Sequence, residues 1–342
     1  MADVKAVVLV GGAGTRMRPL TEKIPKPLVP LLGRPGLDRV LDHLERHGVG
    51  EVVLSSPYLE ETFHAFLEAR HGHPRITWIT EPRPLGTGGA IVHAVPALGG
   101  SEPFLALNGD ILTDLDLTAM LAFHRARAAA VTIALTRVED ARPFGLVPTE
   151  GDGRVLEFRE KPADPIPGDV NAGTYVIDPA ALDAWSSGEV LSIERDVFPD
   201  LIRRGVPVYG YRSDAYWLDL GTPAQYLRAH FDILEGRVST LAAPGAPAVD
   251  ATAVVDPTAR LGRHVVVGAG ARIGADAALE RSVLHAGAEV GPGARVVGSI
   301  LGPRSAVGAG AVVEDAVLAE GAAVAPVATV RGGGVGPGAT AG

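Results

Sequence analysis

The chain divides into two stretches with different hydrophobic rhythms. Residues 6–10 (AVVLV) form a short apolar, β-branched run of the kind expected for a strand buried on both faces. Leu37, Val40, Leu41 and Leu44 then recur at helical spacing, and Gly48 stands where such a helix would stop. Apolar runs at 51–55, 75–80, 104–107, 131–138 and 155–159 predict further strands. Alternation of strands and helices over residues 1–235 predicts an α/β domain with a mostly parallel sheet flanked by helices, which binds ligands at the carboxyl ends of its strands.

Residues 236–248 (GRVSTLAAPGAPA) are small, Pro-containing and weakly patterned, which predicts a linker. Beyond them Val249, Val255, Leu261, Val267, Ile273 and Leu279 lie six residues apart. Three 17-residue units follow from residue 280, each apolar at unit positions 4, 5, 11 and 17. One aliphatic residue every five or six positions is too sparse for a helix face. It suits short strands separated by tight turns, three to a coil. The pattern over 249–330 resembles the left-handed parallel β-helix of hexapeptide-repeat proteins. About five coils at the usual strand spacing would stack to about 20–25 Å. Residues 331–342 (RGGGVGPGATAG) are expected to be a flexible tail.

A net charge of −9 argues against non-specific binding to nucleic acid or to an anionic membrane, so a phosphate site must be a local positive island. With no cysteine, disulfides and thiolate zinc sites are excluded. No apolar stretch is long enough to span a bilayer, and a cytoplasmic protein is expected. His43 and His47, four residues apart, lack a third ligand and are expected at the surface rather than on a metal.

The most informative chemistry follows the first strand. Gly11, Gly12 and Gly14 precede Thr15, Arg16 and Arg18, and Lys26 lies between two prolines. Glycines after a strand let backbone N–H groups approach a phosphate, and the neighbouring Arg and Lys supply charge for a polyphosphate. Neither G-x-x-x-x-G-K-[ST] nor G-x-G-x-x-G occurs here. The string GGAGTRMRPLTEKIPKP resembles the signature of the sugar-1-phosphate nucleotidyltransferases, the NDP-sugar pyrophosphorylases.

That resemblance extends to five more segments in the same order. Residues 81–90 (EPRPLGTGGA) are similar to the family's base-binding strip, Asn108-Gly109-Asp110 to its first magnesium site, Glu160-Lys161 and 171–175 (NAGTY) to its sugar-phosphate segments, and Trp217-Leu218-Asp219 to its second magnesium site. It implies a Rossmann-like nucleotidyltransferase sheet. It also implies a nucleotide site at Leu9, Gly11, Gly12, Gly14, Thr15, Glu81, Gly86, Thr87, Asn108 and Gly109, and a sugar-phosphate site at Gly145, Glu160, Lys161, Asn171 and Thr174. Asp110 and Asp219 would hold Mg²⁺, Arg16 and Lys26 would serve the triphosphate, and Lys161 would hold the sugar phosphate. Taken alone, N-G-D is a plain turn, Asp219 a helix cap, Lys161 a solvated surface residue and Glu81 an exposed strand-end acid. Glu157 and Glu194 also stand where carboxylates could meet sugar hydroxyls.

The implied reaction joins a nucleoside triphosphate to a sugar 1-phosphate and releases pyrophosphate. Glu81 favours GTP, because a carboxylate offers acceptors only and guanine presents two adjacent donors, whereas relatives that take uracil or thymine commonly have Gln there. Within the family the chain looks most like the members that use mannose 1-phosphate. The alternatives are dTTP, UTP or ATP with glucose 1-phosphate or a heptose or cyclitol phosphate, and a non-catalytic regulatory homologue. A homo-oligomer assembled through the β-helix is expected. Acyl transfer on the β-helix, with His264 or His285 as base, is a further alternative without an evident carrier site.

Overall fold

The computed structural model describes residues 4–57, 60–70, 72–241 and 247–342. They fall into two compact units. The first takes in the chain up to Gly12 and Val40–Trp217; the second takes in Ala13–Arg39 and Leu218–Gly342. The first boundary therefore lies inside the Gly-rich loop.

The first unit is built on a nine-stranded sheet. Its strands are β1 (Val4–Leu9), β2 (Val49–Ser56), β3 (Arg75–Thr80), β4 (Phe104–Asn108), β5 (Val131–Val138), β6 (Gly145–Leu146), β7 (Arg159–Glu160), β8 (Gly168–Ile177) and β9 (Val208–Arg212). β1 pairs in parallel with β2 and β4, and β2 with β3. β8 runs antiparallel to both β4 and β5, and β9 is parallel to β5. Ala6, Val7 and Val8 are fully buried, which is why β1 reads as an unbroken apolar run. Helix α1 (Gly36–Arg46), which crosses the unit boundary, buries Leu37, Val40, Leu41 and Leu44 as its spacing predicts. Three longer helices of this unit are α2 (Glu60–Ala69), α3 (Gly86–Leu98) and α4 (Leu117–Ala126), and a shorter one spans Phe198–Arg203. Asp116 caps α4 by accepting from Ala119 N at 2.9 Å.

Two expectations change here. Residues 155–159 are not one strand: Val155 makes an isolated bridge with Thr149, and only Arg159–Glu160 pairs as β7. His43 is not a surface residue. It is 3% exposed, and burial, reinforced by the nearby His47 and Arg46, lowers its pKa to about 4.

The second unit carries three parallel sheets of six, six and five short strands, the sides of a β-helix. Ala248 pairs with Val266, then Val283, Ile300, Val317 and Gly334 follow at steps of 17 residues. Unit positions 5, 11 and 17 point inward: Leu284, Val290, Val296 and their successors fill one core. Position 4 does something else. Val283, Ile300 and Val317, with Val266, pack against Met17, Leu20 and Val29 and against Tyr226 and Leu234 of helix α5 (Pro223–Leu234). The expected tail is not one: Gly334–Val335 and Thr340–Ala341 continue two of the sheets, since their apolar residues keep register across the glycines. Residues 242–246 of the expected linker lie outside the described residues. Among the described residues, no helix is long and apolar enough to cross a membrane.

Candidate nucleotidyl-transfer site

The candidate residues are divided between the units, and each half has its own logic. In the first unit Gly11 follows β1 so closely against the next strand end that a Cβ would lie 2.6 Å from Pro57 Cδ. The same virtual atom would be 3.6 Å from Glu81 Oε1, so the glycine and the acid lie side by side. Glu81 is 5% exposed, not a solvated strand-end acid. Its two oxygens are held separately, Oε1 by Ser55 Oγ and Oε2 by Leu85 N, both at 3.0 Å. Gly86 begins α3 at φ +73, where a Cβ would stand 2.5 Å from Leu191 O; only glycine fits this entry.

Thr87 donates its hydroxyl to Glu194 at 2.7 Å and accepts from Ile193 N at 3.0 Å. Both side chains therefore tie α3 to the segment beside it. At the end of β4, Gly109 N donates to Leu9 O at 2.9 Å, joining two of the expected nucleotide-site residues. Asp110 sits half-buried in the turn that follows.

The sugar-phosphate candidates gather around β6, β7 and β8. Gly145 pairs with Glu160, and Lys161, at φ +50, donates its N–H to Phe144 O at 3.0 Å. Lys161 Nζ lies exposed, 3.7 Å from Glu160 Oε1. Asn171 shapes an irregularity in β8: Oδ1 accepts from Gly173 N at 2.9 Å and Nδ2 donates to Tyr175 Oη at 2.8 Å. Tyr175 stays neutral, because burial pushes its phenol well above the ordinary range. Thr174 is buried and pairs with Leu107. Glu157 is committed to Arg159, whose hydrogen bond pulls its carboxyl below the usual range.

The second unit holds Arg16, Lys26 and Asp219. Gly14, in the left-handed region at φ 60, opens a short 3₁₀ turn over Thr15–Met17. Thr21 Oγ1 fixes that turn by donating to Gly14 O at 2.7 Å. Lys26 begins a second turn, Lys26–Leu28. Arg16 Nη2 lies 3.8 Å from Asp219 Oδ2, and Lys26 Nζ 3.6 Å from Asp219 Oδ1. Arg16 is 67% exposed, while Lys26 is only 8% exposed. Asp219 is not the cap of α5; Thr222 takes that place, accepting from Gln225 N at 3.3 Å.

A family model described as Nucleotidyl transferase matches residues 5–236. The chain belongs to the nucleotidyl transferase family. A second model, described as GMPPB C-terminal domain, matches residues 244–340 of this transferase. Mannose-1-phosphate guanylyltransferase of Mycobacterium tuberculosis is 40% identical over 296 residues, 85% of this chain and 82% of that protein. The UTP–glucose-1-phosphate uridylyltransferase of Synechocystis is 31% identical over 71% of this chain and 66% of its own. The crystal structure of HddC from Yersinia pseudotuberculosis complexed with GMP-PN has a TM-score of 0.58 and 29% identity, covering 66% of this chain and 97% of that one.

Some site-forming residues of the transferase carried no sequence signal. Ser55 and Leu85 hold Glu81, yet Ser55 reads as an ordinary strand end and Leu85 only as one position of the strip 81–90. Trp217 was visible only as part of a motif; its Nε1 donates to Ala172 O at 2.9 Å, and its ring meets Phe144 edge-on at 5.2 Å. Among the described residues, no group of three or more His, Asp or Glu side chains is placed to hold a metal by itself. Asp110 in the first unit and Asp219 in the second are each hard carboxylate oxygen donors, a chemistry that suits Mg²⁺.

Proposed function

We propose that the protein transfers a guanylyl group from GTP to mannose 1-phosphate, giving GDP-mannose and pyrophosphate. The observation that carries this reading is the convergence of Arg16 and Lys26 on Asp219 beside a Gly-rich turn. Two cations gathered at a carboxylate suit a polyphosphate whose charge must be neutralised as it reacts.

An oxygen of the sugar phosphate attacks the α-phosphorus in line. A new P–O bond forms there, the bond to the oxygen bridging the β-phosphorus breaks, and pyrophosphate leaves. No covalent enzyme intermediate is needed, so positioning and electrostatics supply the rate. Lys26 grips the triphosphate, and Arg16 stabilises charge on the departing pyrophosphate. Lys161 aims the sugar phosphate, and Gly145, Glu160, Asn171 and Thr174 frame the sugar. Asp110 and Asp219 would hold Mg²⁺, whose charge offsets that of the phosphate oxygens.

Glu81 reads the base. Each of its oxygens receives one protein donor and keeps a second lone pair, so the pair can still accept the two adjacent donors of guanine. The GMP-PN in the HddC complex supports a guanine base. A second reading keeps the reaction but pairs UTP or dTTP with glucose 1-phosphate, and the Synechocystis relative favours it. Either reading suits a cytoplasmic homo-oligomer.

Pyrophosphate release with Mg²⁺, scanned over the five common nucleoside triphosphates against mannose and glucose 1-phosphates, tests the proposal. Turnover confined to GTP and mannose 1-phosphate is expected. Turnover with UTP or dTTP would retain the class and remove Glu81 as a guanine reader.

A further inference from the structure

The β-helix contributes one buried side chain to a polar network that reaches the charged segment. Tyr226, on α5, donates its hydroxyl to Pro30 O. Since that hydroxyl has one proton, the contact between its oxygen and His285 Nε2 at 3.0 Å requires His285 to be the donor. His285 is thereby fixed as the neutral Nε2–H tautomer. Its Nδ1 is buried without a hydrogen-bond partner among the described residues, which a charged imidazolium could not sustain.

One turn along α5, His230 Nδ1 meets the carbonyl of Tyr226 at 3.0 Å and must donate to it. Its Nε2 is then an acceptor, and it receives Leu32 N–H at 3.2 Å. Tyr226 and His230 thus hold the two-residue strand Pro30–Leu31 and the start of its turn, four to six residues beyond Lys26. The helix that carries them begins at Pro223, four residues after Asp219. Arg16 is tied in from the other side, because Met17 is 1% exposed within the cluster built on Val266, Val283, Ile300 and Val317.

We infer that the β-helix is part of the catalytic apparatus: His285, acting through Tyr226 and Pro30, is a positioning residue that sets where Lys26 stands relative to Asp219. The inference rests on the roles given to these two residues under the proposed function. It differs from a role in assembly alone, because every contact in the network lies within one chain.

Three full-length variants test it: His285→Leu, which removes the donor, His285→Gln, whose amide can replace Nε2–H, and Tyr226→Phe, which keeps the ring. Hydrogen exchange over residues 13–32 and steady-state kinetics are measured well below each melting temperature. His285→Leu and Tyr226→Phe are expected to speed exchange in that segment and to lower kcat about 10–100-fold, as small misplacements of catalytic groups do. The KM values should change far less, and His285→Gln should restore most of the rate. If His285→Leu does not fold, Tyr226→Phe decides alone. Unchanged exchange, or faster exchange with unchanged kcat, overturns the inference. A wild-type protein inactive on every substrate pair while its variants still loosen residues 13–32 would instead refute the reaction and leave the clamp standing.

Discussion

The two units hold their own candidate residues in different ways. In the first, the groups given to recognition already spend hydrogen bonds inside the protein: Glu81 on Ser55 and Leu85, Asn171 on Tyr175 and Gly173. In the second, Arg16 and Lys26 face one carboxylate, Asp219, at 3.8 and 3.6 Å. The difference follows from what each set must do. Telling one base or sugar from another depends on hydrogen-bond direction, so the reading groups must be locked in place before the ligand arrives. Neutralising a polyphosphate depends on proximity, and a side chain such as Arg16 can close on its target late.

The sharpest way to break this contrast is Arg16→Ala. It should lower kcat by about 10²–10³-fold, as loss of a transition-state charge stabiliser does, with much smaller effects on KM. An unchanged turnover number would remove Arg16 from the chemistry and leave the second unit a binding surface only. Glu81→Gln should act on choice rather than rate. One acceptor becomes a donor, so the ratio of kcat/KM for GTP over UTP should fall about 10–100-fold, the scale of a charged hydrogen bond. Equal losses for both nucleotides would mean that Glu81 merely supports Leu85 and α3.

Acid should strain the second unit through its paired buried histidines. Burial lowers His230 to about 4, and burial with the neighbouring His230 charge lowers His285 to about 3. Unfolded histidine titrates near 6.5, so below that pH the unfolded chain binds protons that the folded one refuses. Stability contributed by these groups is whole above pH 6.5 and drains as pH falls toward 4 and 3, at about 1.4 kcal/mol per pH unit for each. Melting temperature should fall over that range, and less steeply in His285→Gln; identical slopes would contradict the buried neutral assignment. The tryptophans Trp78, Trp185 and Trp217 all lie in the first unit, so far-ultraviolet dichroism is the better probe. The smallest effect belongs to Gly12, where a Cβ would meet nothing within 4 Å. Gly12→Ala should change stability by less than about 0.5 kcal/mol, whereas Gly11→Ala should cost about 1–3 kcal/mol in a differential scan.

Much of this was legible in the sequence because the carrying signals were local. Residues 6–10 announced a strand buried on both faces, and the repeat announced a coil of three short strands. What stayed hidden depended on contacts between distant residues. His43 stands on a helix, and nothing along the chain tells that the backbone of Leu115, 72 residues on, meets its ring. The tail looked frayed because glycine dominates it, although Val335 keeps the inward register. Unit position 4 is the instructive case. Its aliphatic residues were visible in the repeat but added nothing to the coil interior, and that surplus was the mark of a face committed to Met17, Leu20 and α5.

That face also governs which changes of length the repeat can absorb. Val266, Val283, Ile300 and Val317 stand on four successive coils, one strand spacing apart, or about 14 Å from first to last. A coil gained or lost beyond Leu318 leaves those four graduations where they were. A coil spliced between Val283 and Ile300 would shift half the scale by one notch, so natural variation in coil number should collect at the far end of the stack.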